Sequence, residues 1–303
     1  MRFEITSLFK PDLETITFGL AAVSRQKDSC DLELSMKDLA GKTVLITGGA
    51  SGIGKIMVRL MLERKAKVII WDINQASIDA TISDFRNGEA IFGYQIDVSN
   101  LEQIQDTALK VKQEIGVVDV LINNAGIVVG KFFHENSTTD ITKTMEVNAN
   151  APMLVTSAFL GDMINQNSGH ICNIASSGGL ISNPKMSVYA ASKWALIGWS
   201  DSLRLEMKQL NKDVNITTIM PYYINTGMFD GVKSKIPILE PEAAALTIVK
   251  AIENNTRMLT IPGYIYRLTR IGQGFLSVNA FDWFAGSVMG IYKTMEHFVG
   301  RKK

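Results

Sequence analysis

Short runs rich in β-branched residues alternate with longer helix-like stretches through most of this 303-residue chain. Such alternation is typical of βαβ units, in which helices cover both faces of a parallel sheet. It predicts an α/β fold, a doubly wound domain with a mostly parallel sheet. The predicted strands span residues 43–47, 68–71, 90–96, 117–122, 170–175 and 215–220, with a seventh near 258–261, and predicted helices include 53–65 and 101–115.

The pattern indicates one domain over residues 41–262, between a helical N-terminal extension (1–40) and an apolar C-terminal segment (263–303). The hydrophobic content of 46% is enough for a single large core. Near the N-terminus, the apolar run 16–23 is interrupted by Thr17 and Gly19. It is unlike a signal peptide, and no run approaches the roughly 20 apolar residues that span a bilayer.

Charge and cysteine content exclude several classes of function. The formal net charge of +1 gives no reason to expect nucleic acid as a partner. Two cysteines, Cys30 and Cys172, do not make a disulfide framework, which favours a reducing, cytoplasmic location. His134, His170 and His297 are far apart in the sequence, so we predict no metal site.

A glycine-rich turn follows the first predicted strand and leads into a helix. Glycines permit a tight turn and close approach of the backbone to a pyrophosphate, and the helix N-terminus offers free N–H groups and positive partial charge. Because strand, turn and helix occur in this order, the segment predicts a Rossmann-type dinucleotide site rather than an ordinary turn. The expected cofactor-binding residues here are Thr47, Gly48, Ser51, Gly52, Ile53 and Gly54.

Asp72 ends the second predicted strand. A carboxylate at this place can accept hydrogen bonds from the adenosine ribose hydroxyls and would repel a 2′-phosphate. Neither Ser51 nor Ile73 supplies a basic side chain to offset that repulsion, so the sequence favours NAD over NADP as cofactor. The alternative is a solvated aspartate that caps the next helix.

Two further loops follow predicted strands at the edge where α/β sheets place their ligands. Asp97 and Val98 follow the third strand, and Asn124, Ala125 and Gly126 follow the fourth. By itself, either loop could be an ordinary turn. With the glycine-rich turn, they predict one cofactor cleft, with Ile73 beside it.

Tyr189 and Lys193 are spaced four residues apart on a predicted helix, which puts both on one face. A free tyrosine titrates near pH ~10, and a neighbouring cation lowers that value by favouring the phenolate. The pair therefore indicates a phenol that exchanges protons, although this spacing is common by chance.

The order and spacing of these motifs, together with Ser176, resemble the short-chain dehydrogenase/reductase family over most of residues 41–230. The resemblance implies a seven-stranded parallel sheet and a set of catalytic roles. Tyr189 would be the general acid/base, and Lys193 would lower its pKa and bind the nicotinamide ribose. Ser176, thirteen positions before Tyr189, would bond the substrate oxygen, with Ser177 as the alternative. Asn148 would support a helix bend and a proton-relay water, or be a buried structural amide.

The segment 221–231 narrows the resemblance to the branch that contains epidermal retinal dehydrogenases and lipid-droplet 17-beta-hydroxysteroid dehydrogenases. Pro221, Ile224 and Thr226 match positions that contact the nicotinamide, whereas Tyr222 stands where many members have glycine. The resemblance implies a hydrophobic alcohol or carbonyl: a retinoid, a steroid or a long-chain compound. The apolar N-terminal anchor of that branch is weaker here and is not carried over.

Residues 263–303 carry six basic and two acidic side chains with eight aromatic residues interspersed. Such a segment can lie at a membrane interface, cover the cleft as a lid, or contact a second subunit. Family members usually form dimers or tetramers through the region of Tyr189, so we expect a homo-oligomer.

These features together predict an NAD-dependent oxidoreductase that transfers hydride between a hydrophobic alcohol and the nicotinamide. The alternatives are a reductase of small polar keto compounds and a catalytically silent NAD-binding regulatory protein. The presence of Ser176, Tyr189 and Lys193 argues against the silent protein.

Overall fold

A seven-stranded parallel sheet forms the centre of the protein. The computed structural model describes residues 38–85 and 90–300. The strands follow the order β3-β2-β1-β4-β5-β6-β7 across the sheet. They are β1 (Thr43–Thr47), β2 (Lys67–Asp72), β3 (Ile91–Gln95), β4 (Val120–Asn123), β5 (Gly169–Ile174), β6 (Val214–Pro221) and β7 (Met258–Ile261).

The predicted α/β class and the seven parallel strands, including the last, are confirmed. The largest difference in the strand bounds is at the fourth strand, which begins three residues later; every other bound differs by at most one residue. Most of the predicted N-terminal extension, residues 1–37, lies outside the described residues. Leu39, just before the first strand, is buried in the core.

Helices cover both faces of the sheet, so β1, β4 and β5 are buried along their whole length. One core packs beneath α1 (Gly52–Glu63) and α7 (Pro241–Glu253), and the other beneath α3 (Leu101–Glu114), α5 (Ala151–Asn165) and α6 (Ser187–Gln209). The remaining α-helices before the C-terminal segment are α2 (Gln75–Asp84) and α4 (Thr138–Met145).

The strand order reverses between β1 and β4, which places a crevice at the carboxyl ends of these strands. Loops that leave β1 and β4 in opposite directions line that crevice, and helices begin or end there. The fold therefore brings together the segments after β1, β2, β4, β5 and β6, the same segments in which the sequence predicts the site.

The C-terminal segment returns over this edge as α8 (Tyr264–Phe275), α9 (Val278–Trp283) and short turns up to residue 300. Gln273 donates a hydrogen bond to the carbonyl oxygen of Leu180 at 2.9 Å. Further along, Thr294 is bonded to Asn183 and Tyr223. The segment is thus joined to the loops after β5 and β6 by polar contacts.

Candidate active site

The glycine-rich turn after β1 packs directly against the start of α1. Gly48 and Gly52 have φ values of +65° and +53°, a region that favours glycine. A Cβ atom on Gly54 would lie 2.1 Å from the carbonyl oxygen of Gly48, so a larger residue there would force the turn and the helix apart. Glycine is required at these positions by geometry.

Thr47 and Asn124 join this turn to the loop after β4. The Thr47 hydroxyl oxygen accepts hydrogen bonds from the backbone N–H groups of Asn124 and Ala125, at 3.0 and 3.1 Å. The Asn124 side-chain amide donates to the carbonyl oxygens of Thr47 and Gly48, at 2.9 and 3.2 Å. The two loops that border the crevice are therefore held as one unit.

This unit fits the pyrophosphate of a dinucleotide. The first turn of α1, residues 52–55, contains no acidic residue, and its N-terminus is next to the glycines. Backbone N–H groups and the helix dipole there favour a bound anion. A Cβ atom on Gly48 would come within 3.1 Å of Ala125 Cα, so the absence of a side chain keeps the cradle open.

Asp72 is fixed at the end of β2 by two backbone amides. Its carboxylate accepts hydrogen bonds from the N–H groups of Ala50 and Asn74, both at 3.1 Å. The N-cap of the following helix is Asn74, whose side-chain oxygen accepts from the Ser77 N–H, rather than Asp72. Ile73 next to it is exposed. The carboxylate thus belongs to the glycine-rich turn, as a ribose-binding group would.

Asp97, after β3, forms an ion pair with Lys143 of α4 at 2.9 Å and accepts hydrogen bonds from Ser99. Its partial burial would raise its pKa, but the bonds from Ser99 and Lys143 outweigh burial and hold the pKa below its ordinary value. Val98 is buried in the core beside it. This loop is accordingly fixed at the same edge of the sheet.

Tyr189 and Lys193 lie on α6 and are both buried. The Lys193 ammonium donates to the carbonyl oxygen of Ile174 at 2.9 Å and lies 5.9 Å from the centre of the Tyr189 ring. Ser176 accepts a hydrogen bond from the Gly178 N–H at 3.1 Å and is itself bonded to the Tyr189 phenol. The three predicted catalytic side chains therefore meet at one place.

Asn148 lies behind this group in a π-helical turn, Glu146–Asn150, between α4 and α5. Its amide oxygen accepts from the Ile127 N–H at 2.8 Å, and its amide nitrogen donates to the Ile127 carbonyl at 2.9 Å. The same nitrogen is 3.2 Å from the Ser192 hydroxyl on α6. The distorted helix thus connects Asn148 with the loop after β4 and with the catalytic helix.

Burial dominates the electrostatics of the catalytic pair. It raises the pKa of Tyr189 to about 12; the hydrogen bond from Ser176 opposes this change, and nearby Tyr223 adds to it. Burial also lowers the pKa of Lys193 to about 8. In the cofactor-free protein the Tyr189 pKa is therefore raised, in contrast to the lowering expected from a neighbouring cation.

One continuous cleft connects the glycine-rich turn with the catalytic group and an apolar chamber. A Cβ atom on Gly126 would lie 3.7 Å from the Lys193 ammonium, and the Tyr189 ring packs edge-on against Phe229 with centroids 6.1 Å apart. Predicted site residues that line the cleft are Gly48, Ser51, Gly52, Ile53, Gly54, Asn124, Ala125, Gly126, Ser176, Tyr189, Lys193, Pro221, Ile224 and Thr226. The lining does not include the predicted residues Thr47, Asp72, Ile73, Asp97, Val98 and Asn148. Four of these form hydrogen bonds with segments that form or adjoin the cleft: Thr47, Asp72, Asp97 and Asn148.

Sequence reasoning missed the residues of the apolar chamber. Phe229 packs against Tyr223, and α8 and the later turns contribute Ile265, Met289 and Ile291. No motif identifies these positions, and the only signal was the aromatic, apolar composition of residues 263–303. Part of that segment thus lines the cleft, as a lid would.

Tyr222 shows how the departure from the usual glycine is accommodated. Tyr222 does not have a positive φ, so the backbone conformation at this position does not require glycine. Its N–H continues the pairing of β6 with β7 by donating to Ile261 at 2.8 Å. Its hydroxyl is bonded to Ser234 at 2.8 Å, and its ring packs against Tyr223 in the chamber.

A family model described as short chain dehydrogenase matches residues 42–237, more than half of the chain. The chain belongs to the short-chain dehydrogenase family. It is accordingly an oxidoreductase that acts on CH–OH groups with a nicotinamide dinucleotide.

The resemblance to retinol and steroid dehydrogenases is also confirmed. Epidermal retinol dehydrogenase 2 of Mus musculus is 35% identical over 274 residues, which cover 88% of each chain. Retinol dehydrogenase 10 of Rattus norvegicus is 35% identical over 77% of this chain and 78% of its own. Estradiol 17-beta-dehydrogenase 11 of Macaca fascicularis is 35% identical over 77% of this chain and 79% of its own.

Solved structures of the family contain either dinucleotide. A short-chain dehydrogenase/reductase from Burkholderia phymatum in complex with NAD superposes with a TM-score of 0.73 at 25% identity, covering 79% of this chain and 95% of its own. A metagenomic short-chain oxidoreductase in complex with NADP has a TM-score of 0.64 at 25% identity, covering 74% and 96%. Similarity of fold alone therefore does not select the cofactor.

The burial of Lys193 predicts a pH-dependent contribution to stability. The ordinary pKa of lysine is 10.5, and the folded value is about 8, so between these values the unfolded chain holds more protons. Stability must then rise with pH in this window, because the cost of burying the ammonium is relieved as its proton is lost. In the cofactor-free protein, the unfolding free energy of the wild type minus that of Lys193→Met should rise by about 1.4 kcal/mol per pH unit.

Urea unfolding at pH 7, 8.5 and 9.5 measures this difference. Lys110→Met, at an exposed position on α3, is the matched control and should give a flat difference. A flat difference for Lys193→Met as well would contradict the burial of a titrating ammonium.

Proposed function

We propose that this protein is an NAD-dependent oxidoreductase that interconverts a hydrophobic alcohol, of the retinoid, steroid or long-chain kind, and its carbonyl compound. The observation that carries the proposal is the chamber beside the catalytic phenol. Tyr189 is in contact with Phe229, which in turn packs against Tyr223 and Phe298. Such a surface binds an apolar molecule by excluding water from it. The relatives named for retinol and estradiol are consistent with this class of substrate.

Each catalytic side chain has a separate task in the proposed reaction. When bound, the nicotinamide supplies the hydride transfer. The residues with which this chain would hold the dinucleotide are the glycine-rich turn, Asp72 and Lys193. Ser176 donates a hydrogen bond to the substrate oxygen, and Tyr189 moves the proton to or from it.

Protonation of Tyr189 suits carbonyl reduction directly. With a pKa of about 12, the phenol carries its proton at neutral pH and can donate it to the alkoxide that forms. In alcohol oxidation the same oxygen has to accept a proton, which requires positive charge nearby. Lys193 is the buried cation at this place, 5.9 Å from the phenol ring centre.

A panel of alcohols tests the proposal. With NAD, the protein should oxidise retinol, estradiol or dodecan-1-ol, and Tyr189→Phe should lower kcat/KM by roughly 100-fold or more because the proton carrier is lost. NAD binding should change little, since the ring remains in place. Product formation is measured by NADH absorbance and by chromatography.

Tyr94→Phe is the matched control, because its hydroxyl is bonded to Glu114 away from the cleft. Turnover that survives in Tyr189→Phe would refute the assignment of the acid/base. A wild type that reduces only small polar keto compounds would support the alternative enzyme. A protein that binds NAD and turns over none of these substrates would support a regulatory role.

The preference for NAD rests on Asp72. Its carboxylate is held by Ala50 and Asn74 at the end of β2, where a 2′-phosphate would meet a negative charge. Asp72→Asn keeps the shape of the side chain and one of its two acceptor oxygens but removes the charge. The ratio of the Kd for NADP to the Kd for NAD should fall by roughly tenfold, about 1.4 kcal/mol.

Calorimetric titration with NAD and with NADP measures both constants. Asp79→Asn, on the exposed side of α2, should leave the ratio unchanged. A wild type that binds NADP as tightly as NAD would contradict the assigned preference.

We also propose that this enzyme acts in the cytoplasm and makes peripheral membrane contact through α8 and α9. On α8, Ile265 lines the cleft, whereas Ile271 and Phe275 are exposed, the latter to 87%. Trp283 of α9 is exposed too, and Arg267 adds positive charge. An apolar, basic surface of this kind binds anionic lipid headgroups and the acyl chains beneath. Within the described ranges, none of the helices is long and apolar enough to span a bilayer.

The double variant Phe275→Ser, Trp283→Ser should bind anionic vesicles at least about tenfold more weakly, since two large apolar side chains are lost. Flotation with phosphatidylserine-containing vesicles, at low and high salt, measures the bound fraction. Leu109→Ser, at a similarly exposed position on α3, is the control. A wild type that stays unbound at low salt would exclude the contact.

We also propose that the protein forms a homo-oligomer in which α6 lies at the subunit interface. Trp194 and Leu205 lie three turns apart on one face of this helix and are exposed to 46% and 50%. Exposed apolar side chains in a row suit a subunit interface. Light scattering of the purified protein measures the mass directly.

A further inference from the structure

A buried asparagine side chain in the apolar chamber is bonded through only one end of its amide. Asn183 lies between β5 and α6, lines the cleft, and is 9% exposed. Its amide nitrogen donates to the Tyr223 hydroxyl at 3.0 Å and to the Thr294 hydroxyl at 2.8 Å. The side chain therefore joins the loop after β6 to the C-terminal segment.

The direction of the hydrogen bonds fixes the orientation of this amide. Thr294 donates its proton to the carbonyl oxygen of Ile291 at 2.8 Å, so its oxygen acts as an acceptor for other groups. Tyr223, 2.9 Å from Thr294, must then donate to it and accept from Asn183. Both hydroxyl protons are then donated elsewhere, so the group of Asn183 that faces Tyr223 and Thr294 has to be a donor. That group is the amide nitrogen and not the amide oxygen.

The amide oxygen of Asn183 takes part in none of these hydrogen bonds. Among residues 38–85 and 90–300, no donor lies within hydrogen-bonding distance of this buried atom. Leaving a buried acceptor unpaired costs free energy that a donor from a bound molecule would recover. Met186 and Met289 also line this part of the cleft, and their flexible side chains can move aside for a ligand.

The polar group around Asn183 is separate from the one that holds the reacting oxygen. Tyr189 is bonded to Ser176, whereas Asn183 is bonded to Tyr223 and Thr294. The Phe229 ring packs edge-on against both Tyr189 and Tyr223. Two separate polar groups thus border the cleft, and the one around Asn183 includes an unpaired acceptor that a ligand reaches when a neighbouring side chain moves aside.

We propose that Asn183 determines substrate specificity by accepting a hydrogen bond from a second hydroxyl group of the substrate. The preferred substrate class is then an apolar alcohol with an additional hydroxyl, such as a steroid diol, over an apolar alcohol with one. The inference rests on the proposed function, since it assumes that hydrophobic alcohols bind beside Tyr189.

A ladder of dodecanediols tests the inference by binding rather than turnover. Calorimetry of the NADH-loaded protein, in which an alcohol has no hydride acceptor, compares dodecan-1-ol with the 1,2-, 1,4-, 1,6-, 1,8- and 1,12-diols, because the second hydroxyl then samples different distances. At least one diol should bind about tenfold more tightly than dodecan-1-ol to the wild type. Asn183→Leu should reverse this order, since the second hydroxyl would be buried without a partner.

Two further variants separate recognition from folding. Tyr223→Phe keeps the Asn183 acceptor and should keep the preference for the diol. If Asn183→Leu does not fold, Asn183→Ala removes the acceptor without adding bulk. Equal binding of all the alcohols to the wild type, or a diol preference that survives both Asn183 variants, would overturn the inference.

Oxidation of the same alcohols by the protein supplied with NAD tests the proposed function independently. If dodecan-1-ol is oxidised and the diols bind no better, the inference about Asn183 alone fails. If a diol binds more tightly and neither alcohol is oxidised, the proposed function alone fails. A protein that binds none of these alcohols contradicts both.

Discussion

The Thr47 hydroxyl and the Asn124 amide hold the loops after β1 and β4 together, and the whole cleft depends on that contact. Both loops leave the sheet where the strand order reverses, so neighbouring strands alone do not fix their separation. Four hydrogen bonds between them do so, and each one uses a backbone N–H or carbonyl group. This unit therefore fixes the positions of the glycine-rich turn, of the start of α1 and of the part of the cleft that leads to Lys193.

The catalytic pair illustrates how burial and charge oppose one another. A phenol and an ammonium placed on one face of α6 are both removed from water, which disfavours the charged form of each. The backbone carbonyl of Ile174 and the hydroxyl of Ser176 supply hydrogen bonds in place of water. The site thus holds two groups whose protonation is sensitive to any charge that enters beside them, as an acid/base site requires.

The apolar chamber is built differently from the end of the cleft at the glycine-rich turn. Strand ends and tight turns form that end, whereas irregular loops and the C-terminal segment form the chamber. Its polar connections run from Asn183 through Tyr223 to Thr294, across more than a hundred residues of sequence. Such a chamber can change its walls without changing the sheet, which is how one fold serves many substrates.

Local sequence pattern was enough to predict the sheet, the glycine-rich turn and the candidate catalytic side chains. These features depend on local pattern: strand and helix periods, glycines at a turn that needs them, and a four-residue spacing on a helix. It also pointed to Asp72 and Asn148 through their places in a familiar order of motifs.

The folded arrangement, in contrast, sets which residues line the apolar chamber and how burial changes the protonation of the site. Asn183, Phe229, Ile265 and Met289 come from four separate segments that share no periodicity, so no local pattern could bring them together. The raised pKa of Tyr189 is likewise invisible in the sequence, because burial is a property of the folded surroundings and the spacing of Tyr189 and Lys193 indicates only their proximity.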